Sequence, residues 1–367
     1  MSVLFEPTTI GSLALKNRFV RSATHDGCSS EGGKITEGTI ELYGRLAEGG
    51  VGLIVSGFAY VHKSGQNFLR QTAIDSDDCL PGLQRLTREV HLRDGKIAIQ
   101  LVHCGRNSRA VRKRGETTLA PSYLGDGQAN KESHRAMTAE EIAGLVEAFA
   151  LAAKRAVEAG FDAIQLHGAH SYLFSQFLSP ASNRRTDAWG GDLEGRMRFP
   201  LQVIEAIRKA LGKEFPLFVK LGVQDTVEGG LTLEEGCIVA RRLSGQGLDA
   251  IEVSEGLETE GANHIRTGID APEKEAYYAA WAGQVKKAVD VPVILVGGLR
   301  SCEVMEEIVR QGGADLVSLC RPFIREPQLV NRWRTKDRST AKCISCNLCL
   351  KRIGREEPLE CVQEGQP

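Results

Sequence analysis

Short apolar runs rich in Val, Ile and Leu recur through the first 320 residues, most of them separated by stretches of helical pattern. There are eight: RFVRSAT (18–24), VGLIVSG (51–57), KIAIQLV (96–102), FDAIQLH (161–167), PLFVKLG (216–222), LDAIEVS (248–254), VPVILVG (291–297) and ADLVSLC (314–320). A continuous apolar run marks a strand buried on both faces, as in a parallel sheet covered by helices. Eight such strands with intervening helices predict a (β/α)8 TIM barrel of the α/β class. A doubly wound open sheet is the alternative, because strand and helix runs look alike in both. The spacing is the βα period, not a solenoid repeat.

The clearest helix covers 139–159. Thr138 and Glu141 form a capping box at its start. Ile142, Leu145, Val146, Phe149, Ala153 and Val157 fall on one face, and Gly160 ends it. Thr232 and Glu235 repeat the signal before a helix ending near Gly245, and 300–311 form a third helix before the turn QGGAD. Residues 1–17 are expected to form a small hairpin closing the bottom of the barrel. The segment 168–199 joins the fourth strand to its helix, and in a barrel it lies at the C-terminal face, where active sites sit.

A length of 367 residues suits one barrel with a small extension, or two ordinary domains. The net charge of −1 gives no electrostatic reason to expect nucleic acid or an anionic membrane as partner. The opening MSVLFEPTTIG has neither the basic start nor the apolar run of a signal peptide, and no run of about 18 apolar residues occurs, so a cytoplasmic chain is expected. Six of the ten cysteines are scattered (Cys28, Cys79, Cys104, Cys237, Cys302, Cys320) and read as buried thiols or small hydrophobes. Cys343, Cys346, Cys349 and Cys361 crowd the tail with the spacing C-x2-C-x2-C-x11-C. In a reducing compartment such clusters bind metal more often than they pair as disulfides. Three close thiolates plus one distant suit a [4Fe–4S] cluster. A structural zinc held by four thiolates is the rival, although zinc ribbons usually show two separated C-x2-C pairs. The division expected is a barrel over 1–335 and a cluster-binding segment over 336–367.

Several residues could carry chemistry at the barrel mouth. The run HGAHSY places His167, His170 and Tyr172 at the end of the fourth strand. Imidazoles can donate hydrogen bonds to a carbonyl, and a phenol of pKa about 10 can deliver a proton to a developing carbanion. A metal pair or plain packing remains open, but no third ligand is obvious nearby. Gln100 and Lys220 interrupt apolar strands, so each needs a polar partner, either a ligand or a neighbouring side chain such as a carboxylate. VGGLR (296–300) and CRPF (320–323) stand at the ends of strands seven and eight. Barrels often hold phosphate with these two loops, and Gly297, Gly298 and Arg321 would serve. No G-x-G-x-x-G fingerprint follows the first strand.

Together these residues resemble the old yellow enzyme family, especially its iron–sulfur branch of bacterial 2,4-dienoyl-CoA reductases and trimethylamine dehydrogenases. NRFVRSATHDG, GGVGLIVSG, IQLVHCGR, HGAHSYLFSQFLSPASNRRTDAWGGDLEGRMRF, VGGLR and the cysteine tail occur in family order over nearly the whole chain. The resemblance implies a bound flavin mononucleotide (FMN). It places Ser22, Ala23, Thr24 and Gly57 beside the flavin and Gln100 on its pyrimidine edge. Lys220 takes a place often held by arginine, keeping the charge and losing the fork. Gly297, Gly298, Cys320 and Arg321 would hold the phosphate, with Cys320 where glycine is usual. His167 and His170 match the substrate-anchoring pair and Tyr172 the proton donor of ene reductases. His25 and Phe58 are expected to shape the pocket.

The implied reaction is reduction of the C=C bond of an α,β-unsaturated carbonyl or enoyl-CoA. Oxidation of an amine or acyl-CoA is a second reading, weakened because His167 stands where the amine dehydrogenases usually carry a phenol. A non-catalytic flavin and iron–sulfur electron-transfer subunit is a third, and an aldolase-type barrel using Lys220 is the fold-level alternative. Relatives with this tail usually continue into domains binding FAD and a nicotinamide, whereas this sequence ends at Pro367. The expected electron source is therefore NAD(P)H or a separate electron-donating flavoprotein. Loops 107–137 and 255–280 are expected to line the pocket, the first carrying the basic run SRAVRKRGE and the second Glu255 and His264. A homo-oligomer is the default for such enzymes.

Overall fold

The computed structural model of the chain describes residues 2–125, 134–258 and 264–363. Its strands are β1 (Thr8–Ile10), β2 (Leu13–Leu15), β3 (Phe19–Arg21), β4 (Leu53–Tyr60), β5 (Ile97–Val102), β6 (Thr118–Ala120), β7 (His134–Ala136), β8 (Ala163–Gly168), β9 (Leu217–Gly222), β10 (Ala250–Ser254), β11 (Val293–Val296) and β12 (Leu316–Leu319). β3, β4, β5, β8, β9, β10, β11 and β12 close into one barrel. The last strand pairs back onto the first, from Val317 against Phe19 to Leu319 against Arg21. That closure excludes the open sheet: the chain is a (β/α)8 barrel, and each barrel strand overlaps one of the eight apolar runs.

Side chains alternate across each strand, so the barrel interior is filled in layers. The lower filling is apolar: Val20, Val55, Ala98, Ala163, Phe218, Ala250, Ile294 and Leu316 pack together. The β1–β2 hairpin inserts Ile10, Leu13 and Leu15 into the same cluster and stoppers the bottom, as the sequence leads one to expect. Two residues further along seven of these strands stand Ser22, Gln100, Gln165, Lys220, Glu252, Val296 and Ser318, a mostly polar layer above the plug. On β4 a bulge between Val55 and Phe58 breaks the count, and Phe58 instead of Gly57 comes level with Gln100.

The helices follow their caps. Ala139–Glu158 starts at Thr138, whose side chain accepts from Glu141 N–H while Glu141 reaches back. Leu233–Gly245 starts with the same box at Thr232 and Glu235. Ile142, Leu145, Phe149 and Ala153 are buried as the periodicity predicts, but Val157 is 40% exposed. Ala152 and Ala156 occupy the buried stripe instead, where small side chains let the helix lie close to Leu193–Leu211. The segment 168–199 carries its own short helix, Leu173–Leu178.

Beyond the helix Leu329–Arg334 the chain returns across the barrel mouth. Ala341 N–H donates to Arg300 O, Leu359 N–H donates to Asp26 O, and the helix Leu348–Gly354 lies between these anchors. Among the described residues no helix is long and apolar enough to cross a membrane.

Candidate active site

A cavity of about 280 Å3 opens at the C-terminal ends of the barrel strands. Its floor is the polar layer. Lys220 Nζ donates to Ser22 Oγ at 2.7 Å and lies 3.4 Å from Glu252 Oε1. Ser22 Oγ donates to the same Glu252 oxygen at 2.8 Å. Gln165 Nε2 donates to Glu252 Oε2 at 2.7 Å, and Gln100 Nε2 donates to Gln165 Oε1 at 2.6 Å. The polar partners that the mid-strand Gln100 and Lys220 require are therefore each other's neighbours. Gln100 Oε1 and Ser318 Oγ are buried and find no partner among the described residues. A buried orphan of this kind costs about 1–3 kcal/mol, so the floor is built to receive a polar ligand.

His167, His170 and Tyr172 stand together on one wall, with ring centroids 5.2 Å apart for the two imidazoles and 4.8 Å for His167 and Tyr172. His170 and Ser171 have φ of +56° and +61°, a left-handed conformation unusual for such residues. It is held by His170 N–H donating to Glu255 O and Ser171 N–H to Gly256 O. His167 Nδ1 accepts from Ala169 N–H, which leaves the ring proton on Nε2. His170 Nε2 meets Ser254 Oγ at 2.7 Å, and its ring stacks on His264 at 4.0 Å. Burial, with Lys220 and the neighbouring imidazoles, holds both pKa values well below the usual histidine range, so both rings are neutral.

Burial pushes the Tyr172 phenol well above its ordinary pKa. Its oxygen accepts from Asn67 Nδ2 at 3.1 Å. Asn67 Oδ1 accepts from Arg109 N–H, which fixes the amide with its donor toward the tyrosine. The phenol thus has an acceptor position filled and its own proton unspent.

The other end of the cavity is made by the loops after β11 and β12. Gly297 and Gly298 have φ of +132° and +72°. A Cβ on Gly298 would stand 2.9 Å from the Tyr277 ring, so glycine is required there twice over. Arg321 Nη1 donates to Arg266 O and Asn347 Oδ1, and Arg300 Nε is buried without a partner among the described residues. Thr24 Oγ1 and Cys320 Sγ are 2.7 Å apart on the same rim.

Of the residues singled out from the sequence, Ser22, Ala23, Thr24, Lys220, Gly298, Cys320, Arg321, His167, His170 and Tyr172 line this cavity, with His25 and Phe58. Gln100 lies in the floor layer without bordering the space. Gly57 does not border it either: a Cβ there would meet Asp26 and Thr24 O, so its glycine serves that close approach. Loop 255–280 contributes His264, Ile265, Tyr277 and Tyr278. Glu255 accepts from Tyr278 and Thr226 hydroxyls and shapes the loop from behind. No described residue of 107–137 lines the cavity, which corrects the expectation for that loop; 126–133 lie outside the described residues. Its basic run forms the helix Arg109–Lys113, and Lys113 and Arg114 pair with Glu356 and Glu116. The wall that sequence reasoning missed comes from the tail: Ser345, Leu350 and Ile353.

Cys343, Cys346, Cys349 and Cys361 line a second, smaller cavity, and Arg321 borders both. Among the described residues no three His, Cys, Asp or Glu side chains are gathered tightly enough for a metal ion. Burial raises the Cys343 thiol and pushes Cys349 up to about 12.

Residues 3–339 match the family described as NADH:flavin oxidoreductase / NADH oxidase. The chain is 35% identical over 364 residues to a metal reductase of Desulforamulus reducens, spanning 99% of this chain and 53% of that protein. It is 36% identical over 327 residues to an NADPH dehydrogenase of a Geobacillus species, 89% of this chain and 92% of that one. Among solved structures it superposes on a 2-naphthoyl-CoA reductase with a TM-score of 0.90 at 27% identity, covering 98% of this chain and 56% of the other. The chain thus spans about half the length of two of these relatives and nearly all of the third.

Proposed function

The chain belongs to the NADH:flavin oxidoreductase / NADH oxidase family and is a flavin-dependent oxidoreductase, and from that premise we propose that it holds FMN on the polar floor and reduces the C=C bond of an α,β-unsaturated carbonyl or enoyl-CoA with electrons from NAD(P)H. The residues present fit the cofactor. Ser318 Oγ on the cavity lining and Gln100 Oε1 in the layer behind it are unpartnered polar atoms that would suit a polar ring edge, and Gly298, Arg300 and Arg321 line the other end, where with Gly297 they would hold the phosphate. FMN, when bound, would supply the hydride chemistry that reduction of a C=C bond requires.

The protein's own part is to orient, polarise and protonate. His167 Nε2–H and the neutral His170 ring donate to the carbonyl oxygen, stabilising negative charge that develops there in the transition state. Tyr172 delivers a proton to the α-carbon. The observation that carries this reading is the Asn67–Tyr172 hydrogen bond, which turns the phenol's proton away from Asn67, beside two neutral imidazoles. Likeness to a 2-naphthoyl-CoA reductase supports a thioester among the substrates.

We further propose that Cys343, Cys346, Cys349 and Cys361 hold a [4Fe–4S] cluster. The four thiols line one cavity, and three close in sequence plus one distant suit a [4Fe–4S] cluster. Barrel 1–335 would then carry the flavin and 336–367 the cluster.

The test is anaerobic purification followed by the visible spectrum, identification of released flavin, and assays of iron, zinc and acid-labile sulfide. FMN with iron and sulfide in near-equal amounts is expected. Zinc without sulfide removes the cluster reading, and no flavin after reconstitution removes the flavin reading. NAD(P)H-driven turnover that persists after the iron is chelated assigns the nicotinamide as direct donor.

A further inference from the structure

Glu252 is fully buried at the centre of the floor, and Lys220 beside it is 4% exposed. Among the described residues every proton-donating contact to this carboxylate comes from the floor itself: Ser22 Oγ and Lys220 Nζ on one oxygen, Gln165 Nε2 on the other. Lys220 borders the cavity and Glu252 does not, so the cation faces the ligand and the carboxylate trims it from behind.

The carboxylate has a second effect, carried by hydrogen-bond polarity. An ionised carboxylate only accepts. Gln165 must therefore present its NH2 to Glu252, which leaves its carbonyl toward Gln100. Gln100 must then present its own NH2 to Gln165, and its Oε1 is left over as the unpartnered atom. A single buried charge two amides away dictates that the free atom of Gln100 is an acceptor.

We infer that Glu252 is a positioning residue that offsets the Lys220 charge and fixes the orientation of Gln100, and thereby sets the reduction potential of the flavin at this site. The inference rests on the flavin reading proposed above. A ring that gains negative charge on reduction is stabilised in that state by an unmatched cation. Pairing the cation with Glu252 holds the potential below what Lys220 alone would impose.

The experiment is a dye-coupled redox titration of the bound flavin in wild type, E252Q, E252D, K220M and the double variant E252Q/K220M. At a fixed dye potential E252Q shifts the reduced-to-oxidised ratio toward reduced by about tenfold or more, the lower end of what a charge within ~4–6 Å does to an ionisation. K220M shifts it the opposite way, the double variant returns toward wild type, and E252D, which keeps the charge, stays with wild type. Equal ratios in wild type and flavin-loaded E252Q overturn the inference, as do shifts of the same sign in E252Q and K220M. Should E252Q be recovered without flavin, E252Q/K220M against K220M decides: equal ratios in those two overturn it. A wild-type chain that takes up no flavin defeats the flavin reading itself, whereas flavin-loaded variants indifferent to Glu252 defeat only this inference.

Discussion

Tyr172 spends nothing on holding itself in place, since Asn67 donates to it and it donates to no described residue. Tyr172→Phe should therefore leave flavin binding intact and lower the rate of alkene reduction by about 10²–10⁴-fold, the usual contribution of a positioned acid. Stopped-flow traces of the oxidative half-reaction would show it, with NAD(P)H reduction of the flavin unchanged. The histidines carry a second prediction. Burial holds His103 down to about 3, and His167 and His170 well below their ordinary value. The unfolded chain protonates them as pH falls through about 6.5 and the folded chain does not. Their contribution is thus fully present above that pH and is lost as pH falls toward the folded values. The slope grows as pH falls through about 6.5 and approaches about 1.4 kcal/mol per pH unit for each ring near pH 5, read by urea unfolding between pH 7 and 5, and His103→Gln should flatten it. His167, His170 and Tyr172 were legible in the sequence because one short run carries all three. Asn67 and Glu252 were not, since their importance lies in partners 105 and 32 residues away.

At the scale of elements, the eight barrel strands and the capped helices were readable because each rests on local pattern. Thr138 accepts from Glu141 N–H at 3.2 Å on an exposed helix start, so Thr138→Ala should cost about 1 kcal/mol in urea unfolding without touching the cavity. What failed locally failed for tertiary reasons. Val157 has the right spacing for burial, but packing against Leu193–Leu211 selected the alanine stripe. The β4 bulge exchanged Phe58 for Gly57 in the cavity wall, and no apolar run announces a bulge. The short β6–β7 pair and the helix Leu173–Leu178 are too brief for periodicity to declare.

At the scale of the molecule, the tail is more than an appendage bearing cysteines. The helix Leu348–Gly354 sets Cys349 toward the second cavity, while Leu350 and Ile353 line the first. Ile353→Ala should raise KM for apolar substrates by roughly tenfold with kcat little changed, since burying such a side chain is worth about 1.5–3 kcal/mol. Steady-state kinetics with a cyclic enone would read the split. The sequence announced the thiols by spacing alone and gave no sign that the residues between them form a wall, because only the fold brings 341–359 back over the barrel mouth. At the opposite end the hairpin and its apolar cluster leave no passage from below among the described residues. Whatever reaches the floor comes and goes through the upper opening, and if the nicotinamide and the alkene proposed above share that one cavity, one leaves before the other enters; initial-rate plots at varied donor are then expected to run parallel instead of converging.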